Sequence, residues 1–168
     1  PSASCADIVI GNLWAPLEDM RFCAEQGDAN AQTNRGMIYN GGVILPLDHM
    51  EARRWYRLAA EQGLAIAQTN LGIGYENGLG VPEDDAEAVR WYRLAAEQGY
   101  GIAQVKLGLM YEDGEGVPED SVLAYMWYNL AQAQGDGPAQ DNEDILERRM
   151  TREQIAEAQR MSREWIEA

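Results

Sequence analysis

The stretch Trp55-Tyr56-Arg57-Leu58-Ala59-Ala60-Glu61-Gln62-Gly63 returns unchanged as Trp91 to Gly99 and, eroded, as Trp127 to Gly135. Each copy begins 36 residues after the one before it. Self-similarity at a fixed period of this size marks a repeat array, in which no single unit can bury its own apolar face. Working outward from the copies, three gapless units run over 29–64, 65–100 and 101–136. Ala31, Ala67 and Ala103 correspond, as do Gln32, Gln68 and Gln104, Gly36, Gly72 and Gly108, and Tyr39, Tyr75 and Tyr111.

The middle unit reads most clearly. Ala67, Leu71, Gly72 and Tyr75 fall on one face of an α-helix that ends at Gly78. Gly78-Leu79-Gly80-Val81-Pro82 is a tight connection. Asp84 stands three residues before Glu87 and opens a second helix, whose apolar stripe is Ala88, Trp91, Tyr92, Ala95 and Ala96. Gly99 ends it, and the next helix starts almost at once, so neighbouring helices run antiparallel. Glycines at 36, 72 and 108 and alanines at 59, 95 and 131 let helix axes approach, and the Trp-Tyr pairs are their bulky counterparts. The aromatics are packing residues, not a cofactor box.

The pattern A-x-x-x-L-G-x-x-Y-x-x-G-x-G-V-P-x-D, carried by Ala67 to Asp84, is followed by A-x-x-W-Y-x-x-A-A-x-Q-G, carried by Ala88 to Gly99. It closely resembles the Sel-one-like repeat (SLR), a branch of the tetratricopeptide superfamily. The resemblance implies an all-α, right-handed superhelical solenoid of antiparallel helix pairs, read as one domain over 1–168. Residues 1–28 form a degenerate first repeat or cap, since Cys23-Ala24-Glu25-Gln26-Gly27 echoes Ala59 to Gly63. Residues 137–168 form C-terminal capping helices, with a capping box at Thr151 and Gln154 and an apolar face of Ile155, Ala158, Met161, Trp165 and Ile166. The ending resembles the closing helix of many bacterial SLR proteins, which implies a natural C-terminus.

Twenty-eight acidic residues against 13 basic give a net charge of −15, which repels a phosphate backbone and disfavours nucleic acid as a partner. No apolar run is long enough for membrane insertion, and no signal peptide is visible. The chain starts at Pro1, consistent with removal of an upstream segment, and both periplasmic or secreted and cytoplasmic locations stay open. Its two cysteines are Cys5 and Cys23. Cys23 shares its register with Ala59, Ala95 and Ala131, a small buried position, and the sequence leaves open whether it also pairs with Cys5.

Catalysis finds little support. His49 is the only histidine and reads as a solvated loop residue; Lys106 is the only lysine, and no serine stands three residues before it. Acids around Gly114 lack the spacing of a calcium loop, so neither a metal nor a cofactor is expected. The resemblance therefore implies a non-enzymatic adaptor that binds a protein or peptide segment on the concave face, lined by the first helix of each repeat. The rival function is a secreted or periplasmic β-lactam-binding or hydrolysing protein resembling cysteine-rich SLR members, against which stand the missing Ser-x-x-Lys and the missing cysteine pair in each repeat. Alignment with the family's core positions puts Asn34 and Met37, then Ile66, Thr69, Asn70, Ile73 and Glu76, then Ile102, Lys106, Leu109 and Glu112 on the inner side. Asn34, Asn70 and Lys106 form one row, in which an amide can both donate to and accept from a peptide backbone.

The first unit breaks the pattern twice. Ile44 replaces Gly80 and Gly116, so its loop must change shape if those glycines have positive φ. Arg35 replaces Leu71 and Leu107, and is expected to find a carboxylate or reach the edge of the core.

Overall fold

The computed structural model describes residues 4–13, 16–135 and 137–167. Residues 1–3, 14–15, 136 and 168, assigned from sequence to the N-terminal cap, the end of the third unit and the end of the closing helix, lie outside these. A 3-10 turn (Cys5–Asp7) precedes α1 (Leu17–Glu25), α2 (Ala29–Gly41), α3 (His49–Glu61), α4 (Ala65–Glu76), α5 (Asp85–Glu97), α6 (Gly101–Asp113), α7 (Ser121–Gln132), α8 (Gly137–Glu147) and α9 (Arg152–Glu167). Among the described residues the chain is all α, packed as sequential antiparallel pairs, the SLR fold. No helix there is long and apolar enough to cross a membrane. The chain divides into two compact units, Pro1–Asp84 and Asp85–Ala168. In the first, α2 packs on α1 and α3, and α3 on α4. In the second, α6 packs on α5 and α7, and α7 also carries α8 and α9.

The recurrent residues have distinct tasks. Gly36 lies so close to the Tyr56 ring that a Cβ would sit 2.5 Å from it, and Gly108 meets Tyr128 in the same way. The glycine is therefore the imprint of the aromatic. Gln32, Gln68 and Gln104 are buried, and each donates from Nε2 to a carbonyl near the end of the preceding helix: Ala24 O at 3.1 Å, Ala60 O at 3.2 Å and Ala96 O at 3.2 Å. Each of those carbonyls also accepts from the N–H of the glycine that closes its helix, Gly27, Gly63 and Gly99, at 3.1, 3.0 and 2.9 Å, so the glutamine takes the carbonyl's second lone pair. Gln62 of the E-Q-G ending then donates to Gln32 Oε1 at 2.8 Å, and Gln134 to Gln104 Oε1 at 3.2 Å.

Helix starts follow the sequence. Asp48 accepts from Glu51 N at 2.9 Å, and Asp120 from Val122 N and Leu123 N at 3.0 Å each. The capping box before α9 is reciprocal, with Thr151 N donating to Gln154 Oε1 at 2.9 Å and Gln154 N to Thr151 Oγ1 at 3.2 Å. On α9 the buried contacts are Ala158 and Ser162; Trp165 stacks edge-on against Trp127 with centroids 5.2 Å apart, and Ile166 is exposed, a turn beyond the packed face.

Gly108→Ala is expected to lower the unfolding free energy by about 1–3 kcal/mol, the usual cost of overpacking, measured by chemical denaturation. Burial raises the phenol pKa of Tyr56 and Tyr128 above the ordinary value and pushes Tyr125 up to about 12, with Glu143 adding to the last. Neutral phenols thus favour the fold: this contribution is complete below about pH 10, the unfolded value, and is lost as pH rises through the folded values. An alkaline titration followed at once by phenolate absorbance and helical signal should show stability falling between about pH 10 and 12.

Candidate functional site

Seven of the eleven residues placed on the inner row lie in the first compact unit, on α2 and α4, and four on α6 in the second. Asn34 is 0% exposed. Its Oδ1 accepts from Gly11 N at 2.8 Å and its Nδ2 donates to Val9 O at 2.9 Å, while one turn earlier Asn30 Nδ2 donates to Ile8 O at 3.2 Å. The chain's own segment 8–11 therefore lies on this face of α2. This corrects the expectation that Asn34 faces an open groove: its amide is already used by backbone.

Two features hold that segment down. Cys5 and Cys23 are bridged, with Cα atoms 5.4 Å apart, which settles the alternative the sequence left open; Cys23 is at once the small buried residue of its register and a disulfide partner. Ile8 is buried with Cys23, Ala31, Ile38 and Trp55, and Leu13, Ile44 and Leu45 pack on that cluster. The altered first loop belongs to the same arrangement. Among the described residues no non-glycine has positive φ, so Ile44 does not reproduce the conformation of Gly80 (φ 70) or Gly116 (φ 68), and the loop does change shape. A Cβ on Gly80 would collide with the backbone of His49, whereas Ile44 supplies a side chain to the N-terminal cluster.

Thr69 and Glu112 are also committed. Thr69 is buried and donates to Ala65 O at 2.9 Å within its own helix, and Glu112 accepts from Tyr128 OH at 2.8 Å and from Arg149 Nη1 at 3.1 Å. Neither stands free for a partner. Met37, Ile66, Asn70, Ile73, Glu76, Lys106 and Leu109 are half-buried, and Ile102 is exposed. Asn70 has the register of Asn34, yet its amide makes no hydrogen bond to a described residue.

Asn70 and Ile73 line a cleft of about 100 Å³ between α2, α3 and α4, together with Asn40, His49, Arg53 and Tyr56. Sequence reading missed this cleft and took His49 for a solvated loop residue. His49 is the first residue of α3, half-buried, with Nδ1 3.0 Å from Asn40 Oδ1. Arg53 is half-buried, makes no bond to a described residue, and has a fully buried, unpaired Nε. The available signal was Arg53 itself, a cation where the other units have Val89 and Tyr125. Arg35 departs from expectation too. It is 6% exposed, meets no carboxylate, and lies over the rings of Tyr39 and Trp55 at 5.0 and 5.7 Å while donating to Tyr39 OH at 2.9 Å. Aromatic faces are the counter-charge it found.

Compared with known families, residues 29–64, 65–100 and 101–136 each match the Sel1 repeat. The chain belongs to the Sel1 repeat family. Among solved structures it is similar to a Sel1 repeat protein from Oxalobacter formigenes, at 38% identity and a TM-score of 0.68, over 71% of this chain and 49% of that one. It is also similar to c5321, a protective antigen present in uropathogenic Escherichia coli strains displaying an SLR fold. That match has 30% identity and a TM-score of 0.70, over 90% of this chain and 40% of that one. This Sel1 repeat chain thus spans less than half the length of either. No curated protein matches it.

Breaking the bridge with Cys5→Ser should cost about 2–4 kcal/mol of stability, as for a loop of this size. The Asn34 side-chain amide should then lose its protection from hydrogen exchange, which NMR reads directly.

Proposed function

We propose that this Sel1 repeat chain is a non-enzymatic interaction module that binds an extended protein or peptide segment on the first-helix row of its repeats, with Asn70 making the central backbone contact. The observation that carries this reading is the chain's own segment 8–11, held on the equivalent row of α2 by an asparagine that donates to one peptide unit and accepts from another. Such pairing satisfies any sequence's backbone, so side-chain pockets beside it set specificity. Asn70 repeats that register with an uncommitted amide, flanked by the apolar side chains of Ile66 and Ile73. On α6, Lys106 takes the same register and supplies a cation for a carboxylate of the partner, with Ile102 and Leu109 beside it. The Cys5–Cys23 bridge supports an oxidising compartment, periplasmic or extracellular, as the place of action.

The test uses nonapeptides selected from a random library and resynthesised with acetylated and amidated ends and no Asp or Glu, so that only backbone and apolar contacts are measured. Asn70→Ala removes two hydrogen bonds of about 1 kcal/mol each and should weaken binding about tenfold or more, measured by calorimetry on a variant with unchanged helical signal. Equal affinity of wild type and variant, or no peptide enriched at all, would sink the reading.

A further inference from the structure

We infer that the cleft between α2, α3 and α4 is a binding site for a carboxylate group, held by Arg53 and Tyr56 with the amides of Asn40 and Asn70 at its sides. The second compact unit shows what such a site looks like when filled. There Glu112 lies between the phenol of Tyr128, which donates to Oε2 at 2.8 Å, and the guanidinium of Arg149, which donates to Oε1 at 3.1 Å. Two periods earlier, Tyr56 has the register of Tyr128 and Asn40 that of Glu112. The phenol is kept and the carboxylate is gone.

The rest of the first site is built around that loss. Arg53 precedes Tyr56 by three residues on α3, so both side chains leave the same helix face. Neither the guanidinium nor the phenol bonds to a described residue. Asn40 instead meets His49, at the rim of the cleft. None of the side chains lining the cleft is acidic, in a chain with 28 acidic residues. Its volume of about 100 Å³ exceeds the about 10–15 Å³ a single water requires, and leaves room for a carboxylate with a methylene or two. Ala52, Leu71, Ile73, Gly74 and Leu79 form the rest of the lining, and a low-polarity wall strengthens a charge-assisted hydrogen bond to the guanidinium. A planar guanidinium and a phenol together offer the donors that a carboxylate's two oxygens accept.

A chain-terminal carboxylate and an acidic side chain share this chemistry, and the experiment separates them. The full chain, labelled with ¹⁵N, is titrated at constant ionic strength with N-acetylglycine, with N-acetylglutamate α-amide, and with N-acetylglycine amide as the neutral control. Saturable shifts of the Asn40 and Asn70 side-chain amides and of Arg53 Nε–H are expected with at least one acid, with a dissociation constant of about 1–10 mM, and not with the control; the tighter acid identifies the source. Arg53→Gln should weaken binding about tenfold or more. Asn40→Glu restores in cis the carboxylate seen at Glu112, so it should abolish binding and raise the melting temperature, and it decides the matter if Arg53→Gln fails to fold. Equal shifts from the neutral control, absence of saturation with either acid, or undiminished binding by Asn40→Glu would overturn the inference. It stands apart from the peptide reading, whose test uses ligands without carboxylates, so each fails alone.

Discussion

Everything in this fold depends on how each repeat ties a buried glutamine amide to the helix before it. Gln32, Gln68 and Gln104 reach back to carbonyls of the preceding helix that Gly27, Gly63 and Gly99 N–H also bond, and Gln62 and Gln134 bond to Gln32 and Gln104 in turn. A buried side-chain amide left unpaired costs about 1–3 kcal/mol, so the tie fixes which carbonyl the next helix must sit beside. The Gly36–Tyr56 and Gly108–Tyr128 contacts then set how close the helices come. Polar register and apolar distance are supplied by different residues, which is why both recur at one period.

With that frame constant, the units differ in what they do with the same registers. Position 34 is closed by the chain's own N-terminal segment, while Asn70 keeps the same side chain without the occupant. Glu112 sets a carboxylate beside Tyr128, while Asn40 stands at that register in the first unit and lines a cleft with Tyr56 and Arg53. Such changes cost little because they touch neither the glutamine tie nor the glycine contact. They also concentrate in the first unit, where Arg35 on two aromatic rings and Ile44 in the N-terminal cluster are further departures from the repeat.

The helices, the buried glycines and the last cap were legible because they rest on local rules: an apolar stripe at helical spacing, Gly36 and Gly108 each opposite a tyrosine, a reciprocal box at Thr151 and Gln154. The candidate row was legible in part. Periodicity places Asn34 and Asn70 on one face but says nothing of a segment arriving from 25 residues away in sequence to take the first amide. Glu112 was misread for a similar reason, since Arg149 lies 37 residues beyond it. His49 looked like loop because the helix start at Asp48 was not recognised in the altered first unit.

The sequence by itself determined the repeat, its helix pairs and its family, because a period of 36 residues is written in residues that contact their immediate neighbours in the array. Tertiary structure decided occupancy: that Cys5 bridges Cys23, that Asn34 is taken, that Arg53 and Tyr56 share a cleft without a counter-charge. Those facts depend on which non-repeating segments fold back onto which repeat. A local pattern fixes the face a side chain points from, and only the assembled chain fixes what it points at.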